Sequence, residues 1–460
     1  MKRVLLTAVS AAIICSASAQ ERSSFWKSIK NPATRGQLQT FVADKEAQAN
    51  AAAKADGKGM PPEFENFFAA ANRGDWLTVS NDFENMRDMR DGCSPRNPSW
   101  HGTPWEAERE IWGAYIAFAE GDEKYSELFG NEAIQSIPPG SIYFGGSDPG
   151  RFIITAFQKS EIKGEPFFTL TQNALADGTY LNYLRSMYGK KIYIPTAEDS
   201  QRCFNDFYAD VKTRIENHQL KPGENVTINT NGKLQLCGTV AIMEINALIV
   251  KVIFDKETNR EFYIEQSEPL EWMYPYLEPH GLILKLNHES LDELPDETVQ
   301  KDRQYWTKLV SPMIGDWLHD DTPVKDVATF VEKVYLKHNF SGFKGDPEYV
   351  LNEYAYATFS MERSSIGDLY LWRADNYHNV TEWEPMIHEA DFAFRQAWAM
   401  CPYSPGVIPH YVEVLMCENK PADALLVAET AAKFPYYESG DHRREIQDEI
   451  AWIKRNKKSK

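Results

Sequence analysis

From residue 61 onward, apolar side chains recur at helical spacing. Phe64, Phe67, Phe68 and Ala71 predict one helix, Gly74 ends it, and Asp75 caps a second that carries Trp76, Val79, Phe83 and Met86. The pair reads as a helical hairpin. Thr103-Pro104-Trp105-Glu106 then joins an N-cap, a first-turn proline and a capping-box glutamate, with Ile111, Ala114, Tyr115 and Phe118 facing inward beyond them. The period changes at Pro138-Pro139-Gly140. Ser141 to Phe144 predicts a short strand, residues 145–150 a glycine-rich turn, and residues 151–158 a helix. The alternation continues with strands at 167–171 and 191–194, helices at 178–187 and from 196, and a β-hairpin around Asn231-Gly232. A helix at 240–254 and strands at 261–265 and 281–286 complete the pattern. Interleaved strands and helices predict an α/β central unit with a mostly parallel, layered sheet, flanked by helical hairpins.

Beyond Asp296 every periodic segment is helical. Val324, Val327, Ala328, Val331, Val334 and Tyr335 form one stripe, and further helices are expected at 348–361 and 364–374. The expected organisation is a signal peptide (1–19), a flexible leader (20–60) rich in Ala, Gln, Lys and Asp, a helical region (61–136), an α/β domain (137–290) and an all-α region (291–460).

Two resemblances add to this. Ala390, Ala393, Ala397 and Pro402, followed about 33 residues later by Ala424, Ala428, Ala431 and Pro435, resemble the second helices of tetratricopeptide repeats, where small residues let two helices cross closely. The first-helix Trp and Gly of that family are lacking. The segments "IPPGSIYFGGSDPGRF", "PFFTLTQNALADGTYLNYLR" and "REFYIEQSEPLEWMYPYLEPHGLILKL" are similar to the soluble region of bacterial membrane proteins related to protein O-mannosyltransferases. That resemblance implies a shared sheet domain. It implies no transferase activity, because the membrane spans that would host lipid-linked sugar chemistry are missing from this sequence.

Composition narrows the partners. Acidic residues outnumber basic ones by 67 to 49, a field that repels nucleic acid and anionic membranes and leaves small molecules, sugars and proteins. Lys2 and Arg3, the apolar run Val4 to Cys15 and the small residues Ala17 and Ala19 form a secretory signal, so export to the periplasm or beyond is expected, with cleavage after Ala19. No other run reaches the roughly 18 apolar residues of a membrane span. Cys93, Cys203, Cys237, Cys401 and Cys417 are too scattered for a disulfide framework, and Cys401 and Cys417 are expected at opposite ends of one helix.

Candidate chemistry centres on the turn after the first strand. Gly145 and Gly146 let backbone approach a ligand, and Asp148, Arg151, Asn173 and Asp177 are expected to gather at the carboxyl ends of adjacent parallel strands, with Asp148 also able to cap the following helix. The turn is neither GxGxxG nor a Walker loop. Residues 266–280 concentrate Glu268, Glu271, Trp272, Tyr274, Tyr276, Glu278 and His280, a mixture that suits sugar binding or the covering of a sheet edge. His319-Asp320-Asp321 reads as a solvated turn before a metal site, and His388-Glu389 lacks the second histidine of HExxH. No nucleophile motif is present, and no cofactor or metal is expected. The leading expectation is therefore an exported, non-catalytic protein that binds a protein or peptide through its helical hairpins. The alternative is a carbohydrate or nucleotide-sugar binding protein or enzyme acting at the sheet's loop edge.

Overall fold

The computed structural model describes residues 25–456 apart from 56, 58, 92–102, 120, 158–166, 222–224, 229–233, 238, 266–269, 377–379 and 438–439. The expected signal peptide, Cys93 and Glu268 lie outside the described residues. Two compact units emerge: residues 1–119 with 137–263, and residues 120–136 with 264–460.

The first unit opens with α1 (Phe25–Ser28) and α2 (Pro32–Ala55). The expected flexible leader is thus a 24-residue helix over most of its length. Its alanines hid an apolar stripe of Leu38, Phe41, Val42, Ala49 and Ala53, all buried, that packs on α5 (below). The hairpin α3 (Pro62–Arg73) and α4 (Trp76–Asp91) matches expectation. Gly74 takes the left-handed φ of 70° that ends α3, and the Thr78 backbone N–H donates to the Asp75 carboxylate at 3.2 Å. Helix α5 (Thr103–Ala119) follows, while α6 (Glu123–Ser136) belongs to the second unit.

Strands β1 (Ile142–Gly145) and β2 (Phe168–Thr171) pair in parallel, with Gly145 opposite Thr171. Between them run a π-helix (Pro149–Ile153) and α7 (Ile154–Phe157). Then come α8 (Gly178–Tyr188) and α9 (Ala197–Glu216), the latter opened by a capping box between Thr196 and Asp199. Residues 191–194 are not a strand; Lys191 N–H donates to the Tyr188 carbonyl in a turn that closes α8, and only Ile192 and Ile194 reach the core. The expected hairpin appears as antiparallel β3 (Asn225–Ile228) and β4 (Leu234–Cys237), followed by α10 (Thr239–Lys256).

Strand β5 (Phe262–Glu265) leads to β6 (Leu277–His280) and β7 (Ile283–Leu286), which pair antiparallel about Gly281 at φ 64°. Strand order is β2-β1-β5-β7-β6. The sheet is therefore small and mixed, where a mostly parallel one was expected. The cause is β6, whose sequence Leu-Glu-Pro-His holds none of the β-branched or aromatic residues that mark a strand.

Helices alone make up the rest of the second unit: α11 (Asp296–Ile314), α12 (Val324–Val331), α13 (Pro347–Leu351), α14 (Glu353–Asn376), α15 (Val380–Met400), α16 (Ile408–Cys417), α17 (Pro421–Ala431) and α18 (Gly440–Asn456). The stripe from Val324 to Tyr335 is buried as expected. Helix α14 fuses most of the two helices expected at 348–361 and 364–374, because Arg363 to Ser365 face the interior and do not break it.

Candidate functional site

Parallel pairing sets the geometry at the carboxyl ends of β1 and β2. A Cβ on Gly145 would meet the Gly150 carbonyl oxygen at 2.7 Å and the Arg151 Cα at 3.3 Å, so glycine is what lets the π-helix fold back over the strand ends. Tyr143 holds the same turn by donating its hydroxyl to the Gly150 carbonyl at 2.9 Å. Of the six residues expected at this site, four contribute locally. Gly145 and Gly146 form the turn, Asn173 donates its amide to the Gly146 carbonyl at 3.2 Å, and Arg151 is buried. Asp148 is exposed and makes no cap bond; the Ser147 hydroxyl accepts the Gly150 N–H instead, at 3.2 Å. Asp177 is spent as the N-cap of α8, accepting from Thr179 N–H at 2.7 Å. The polar gathering on the turn's surface is thus thinner than expected.

Its interior is richer. Lys45 on α2 pairs with Glu110 on α5 at 2.8 Å, and the Tyr183 hydroxyl joins both, at 2.9 Å from Lys45 and 2.6 Å from Glu110. Arg151 faces Glu106 at 3.5 Å, stacks over the Phe152 ring, and leaves its Nε and Nη2 without a hydrogen bond. Gln172 is wholly buried with neither amide atom bonded. Tyr180 accepts the Thr171 N–H at 2.7 Å; burial pushes its hydroxyl pKa up to about 12, against the opposing charge of Arg151. Buried Asn246 on α10 ties the β2–α8 connection by bonding Ala176 N–H and the Asn173 carbonyl. A concavity of about 460 Å³ lies at the other end of the strands, lined by residues 139–141 and 256–261, where Arg260 is already bonded to the Gly140 and Lys191 carbonyls.

The other sequence candidates resolve into structure. Tyr274 stacks on Trp372 at 5.5 Å, and His280 bonds the Ser136 carbonyl at 2.9 Å, so these members of the 266–280 cluster pack against their own unit. Asp320 pairs with Arg303 at 3.0 Å and His388 at 3.1 Å, and Glu389 also holds Arg303. Among the described residues no group of three or more His, Cys, Asp or Glu is placed to hold a metal ion, and no helix is long and apolar enough to cross a membrane. Cys401 lies just beyond α15, not at the start of the helix that Cys417 ends; both are free, as is Cys203.

Helices α14 to α18 pack each on the next. Ala390, Ala393, Ala397, Ala424, Ala428 and Ala431 are all completely buried, and a Cβ on Gly367 would touch the Phe394 ring at 3.0 Å, which marks how closely α14 and α15 cross. Helix α12 lies against α15 and α17. The α14 and α16 side carries Asp368 bonded to His410, with Glu413, Asp375 and the exposed Cys417 beside them. Burial raises the Glu413 carboxyl, His410 opposes the rise, and Asp375 and Asp368 add to it. Partial desolvation at this otherwise exposed position, then the charges of Glu413 and Asp375, lifts the Cys417 thiol to about 11.

Gln172, Tyr180, Lys45, Glu106 and Glu110 were not among the expected site residues. One signal was available: Glu106 and Glu110 sit four apart on a helix whose other inward positions, Glu108 apart, are apolar, which places charges on a buried face. Lys45 carried no such signal, since its helix read as a leader. The chain matches no known protein family, no curated protein and no solved structure.

Proposed function

We propose that this protein is an exported, non-catalytic binding protein that recognises a peptide segment of a partner through its carboxyl-terminal helical hairpins. One observation carries the reading: α14 to α18 stack in sequence order, with the repeat-spaced alanines fully buried at the crossings. Arrays built from such hairpins offer an extended face to a ligand while each hairpin is held only by its neighbours. Contact of α12 with α15 and α17 engages that side of the array, and α6, α13 and β6 cover much of α14, so the recognition face is assigned to α16 and the adjoining carboxyl end of α14.

The chemistry of that face favours a basic segment. Asp368 is bonded to His410, and the Glu413 carboxyl beside them is raised by burial first, with His410 opposing the rise and the charges of Asp375 and Asp368 adding to it. A lysine or arginine from a partner would relieve it.

The test is a peptide-display selection on the full chain, with a photo-crosslinker attached to Cys417, the exposed free thiol. Enriched peptides should carry Lys or Arg, attach to α14, α16 or α18, and weaken as salt rises. Enrichment of acidic or uncharged peptides, or attachment confined to residues 25–263, would remove the reading. Export is checked separately: the secreted chain should begin at Gln20.

A further inference from the structure

The carboxyl ends of β1 and β2 hold three side chains that peptide recognition by the hairpins does not use. Arg151 is 3% exposed, and its Nε and Nη2 donate to nothing in the chain. Gln172 is 0% exposed, with its amide oxygen and nitrogen both unbonded. The Tyr180 hydroxyl accepts the Thr171 N–H, which leaves its own proton for a second partner. Buried polar groups in folded proteins nearly always find partners, so three in one place, two of them wholly or largely unbonded, require an occupant.

They are in one place because the backbone brings them there. Gly145 stands opposite Thr171 in the parallel register and lies under Arg151, Gln172 follows Thr171 directly, and the Arg151 charge acts on the Tyr180 hydroxyl. Arg151 sits on a π-helix, a form that costs backbone geometry and recurs at functional sites.

We propose that this is a binding site for a small, neutral, polyhydroxylated molecule, a sugar or related polyol, gripped through a vicinal pair of hydroxyls. Nε and Nη2 form the side-on edge of the guanidinium, two parallel donors spaced for two oxygens on neighbouring atoms. A carboxylate or phosphate presents the same spacing. It would also bring a net charge into an interior where Arg151 is countered by Glu106 and Lys45 by Glu110, and an uncompensated buried charge is strongly disfavoured. A vicinal diol supplies the oxygens without the charge. Gln172 then serves as both donor and acceptor to further hydroxyls, and Tyr180 as donor. Exchange passes through the turn of Gly145 to Gly150, where Asp148 is exposed and beside which exposed Asn173 bonds the Gly146 carbonyl through its amide.

Saturation-transfer NMR on the full chain tests this with glucose, galactose, ribose and myo-inositol, set against glucuronate and inorganic phosphate. At least one neutral polyol should receive transfer, and its Kd should rise about tenfold or more in Arg151→Lys, which keeps the charge opposite Glu106 but loses the fork. Gln172→Met should weaken the same ligand while the circular dichroism spectrum stays unchanged, and it carries the test alone if Arg151→Lys does not fold. Absence of transfer to every polyol, meaning that only water fills the site, overturns the proposal. So does transfer confined to glucuronate or phosphate, or a polyol signal equal in wild type and in a folded variant.

Discussion

Two buried glutamines, one in each unit, are bonded very differently. Gln396, in the second unit, accepts the Arg363 Nε–H at 2.8 Å, and Asp302 accepts from Nη1 of the same guanidinium at 2.8 Å and from the Tyr370 hydroxyl at 2.9 Å, while Arg363 Nη2 and Asp302 Oδ1 stay unbonded. Gln172, in the first, is just as buried and bonds to nothing through its side chain. The first arrangement is a network in which each side chain is held by at least one other, and its role is to fix the packing of α11, α14 and α15. The second has no such role to explain it. A buried polar group earns a functional reading when the fold does not use it, and burial alone does not separate the two cases.

The largest effect expected from breaking this comparison is at Arg363. Arg363→Met preserves volume but strands Asp302, and loss of one partner from a fully buried ion pair costs about 3–5 kcal/mol. Urea unfolding measures it; a loss below about 1 kcal/mol would show the network to be incidental. The two glutamines come next. Gln396→Met leaves Arg363 Nε unbonded and should cost about 1–3 kcal/mol, whereas Gln172→Met removes groups that have no partner and should be neutral or stabilising. Equal losses at both positions would erase the distinction.

How much of this could be read in the sequence follows from the same physics. Helices with a one-sided apolar stripe were legible: α3, α4 and the run from Val324 to Tyr335 stand where Phe64, Val79 and Val327 place them. The turn at Gly145 and the strands on either side were legible too, because glycine clusters and apolar runs are local signals. The leader was not, since the stripe of α2 is interrupted by Lys45, whose burial depends on Glu110 and Tyr183 far along the chain. Strand β6 was not, because proline and histidine mask a segment that only pairing with β7 makes extended. For the candidate site, the sequence groups Asp148, Arg151, Asn173 and Asp177 at the strand ends; in the fold Arg151 is buried there, Asp148 is exposed and Asp177 caps α8. Gln172 gave no signal: an uncharged residue at a strand end becomes notable only when its neighbours are seen to leave it unbonded.

A finer test of the comparison uses two carboxyls, one per unit. Glu362 is raised well above the ordinary range by burial, then by the charge of Glu265 and a hydrogen bond with it; Glu108 is raised by burial, then by Asp82, and neither of its oxygens is bonded. In both cases the folded chain keeps a proton that the unfolded chain releases near pH 4.3, so stability falls as pH rises above about that value. Glutamine mimics the protonated acid and abolishes the slope. Glu362→Gln and Glu108→Gln should each leave Tm nearly unchanged at pH 4 and raise it progressively from pH 5 to 8. Glu362→Gln keeps a bond to Glu265 that the glutamine amide can donate, so its gain should exceed that of Glu108→Gln. The reverse order would mean that shared bonding does not protect a buried group in the second unit.

The smallest effect has the opposite sign and comes from a carboxylate that the fold uses fully. Burial alone would raise Asp199, but hydrogen bonds from the Tyr193 hydroxyl, the Thr196 backbone N–H and hydroxyl, and Arg202 outweigh it and lower its pKa to about 2. Because the unfolded value is near 3.9, the ionised form favours the folded chain at every pH above that, and the advantage disappears as pH falls from about 4 to about 2. Asp199 closes the capping box of α9, so the effect is local to that helix start. Hydrogen exchange at the Ser200 and Gln201 amides should therefore accelerate over this window in the wild type. Asp199→Ala should exchange fast throughout, consistent with loss of a cap worth about 1 kcal/mol. If the wild-type amides stay protected at pH 2, the carboxylate is not what holds the helix start, and bonding would no longer distinguish a structural acid from an unused one.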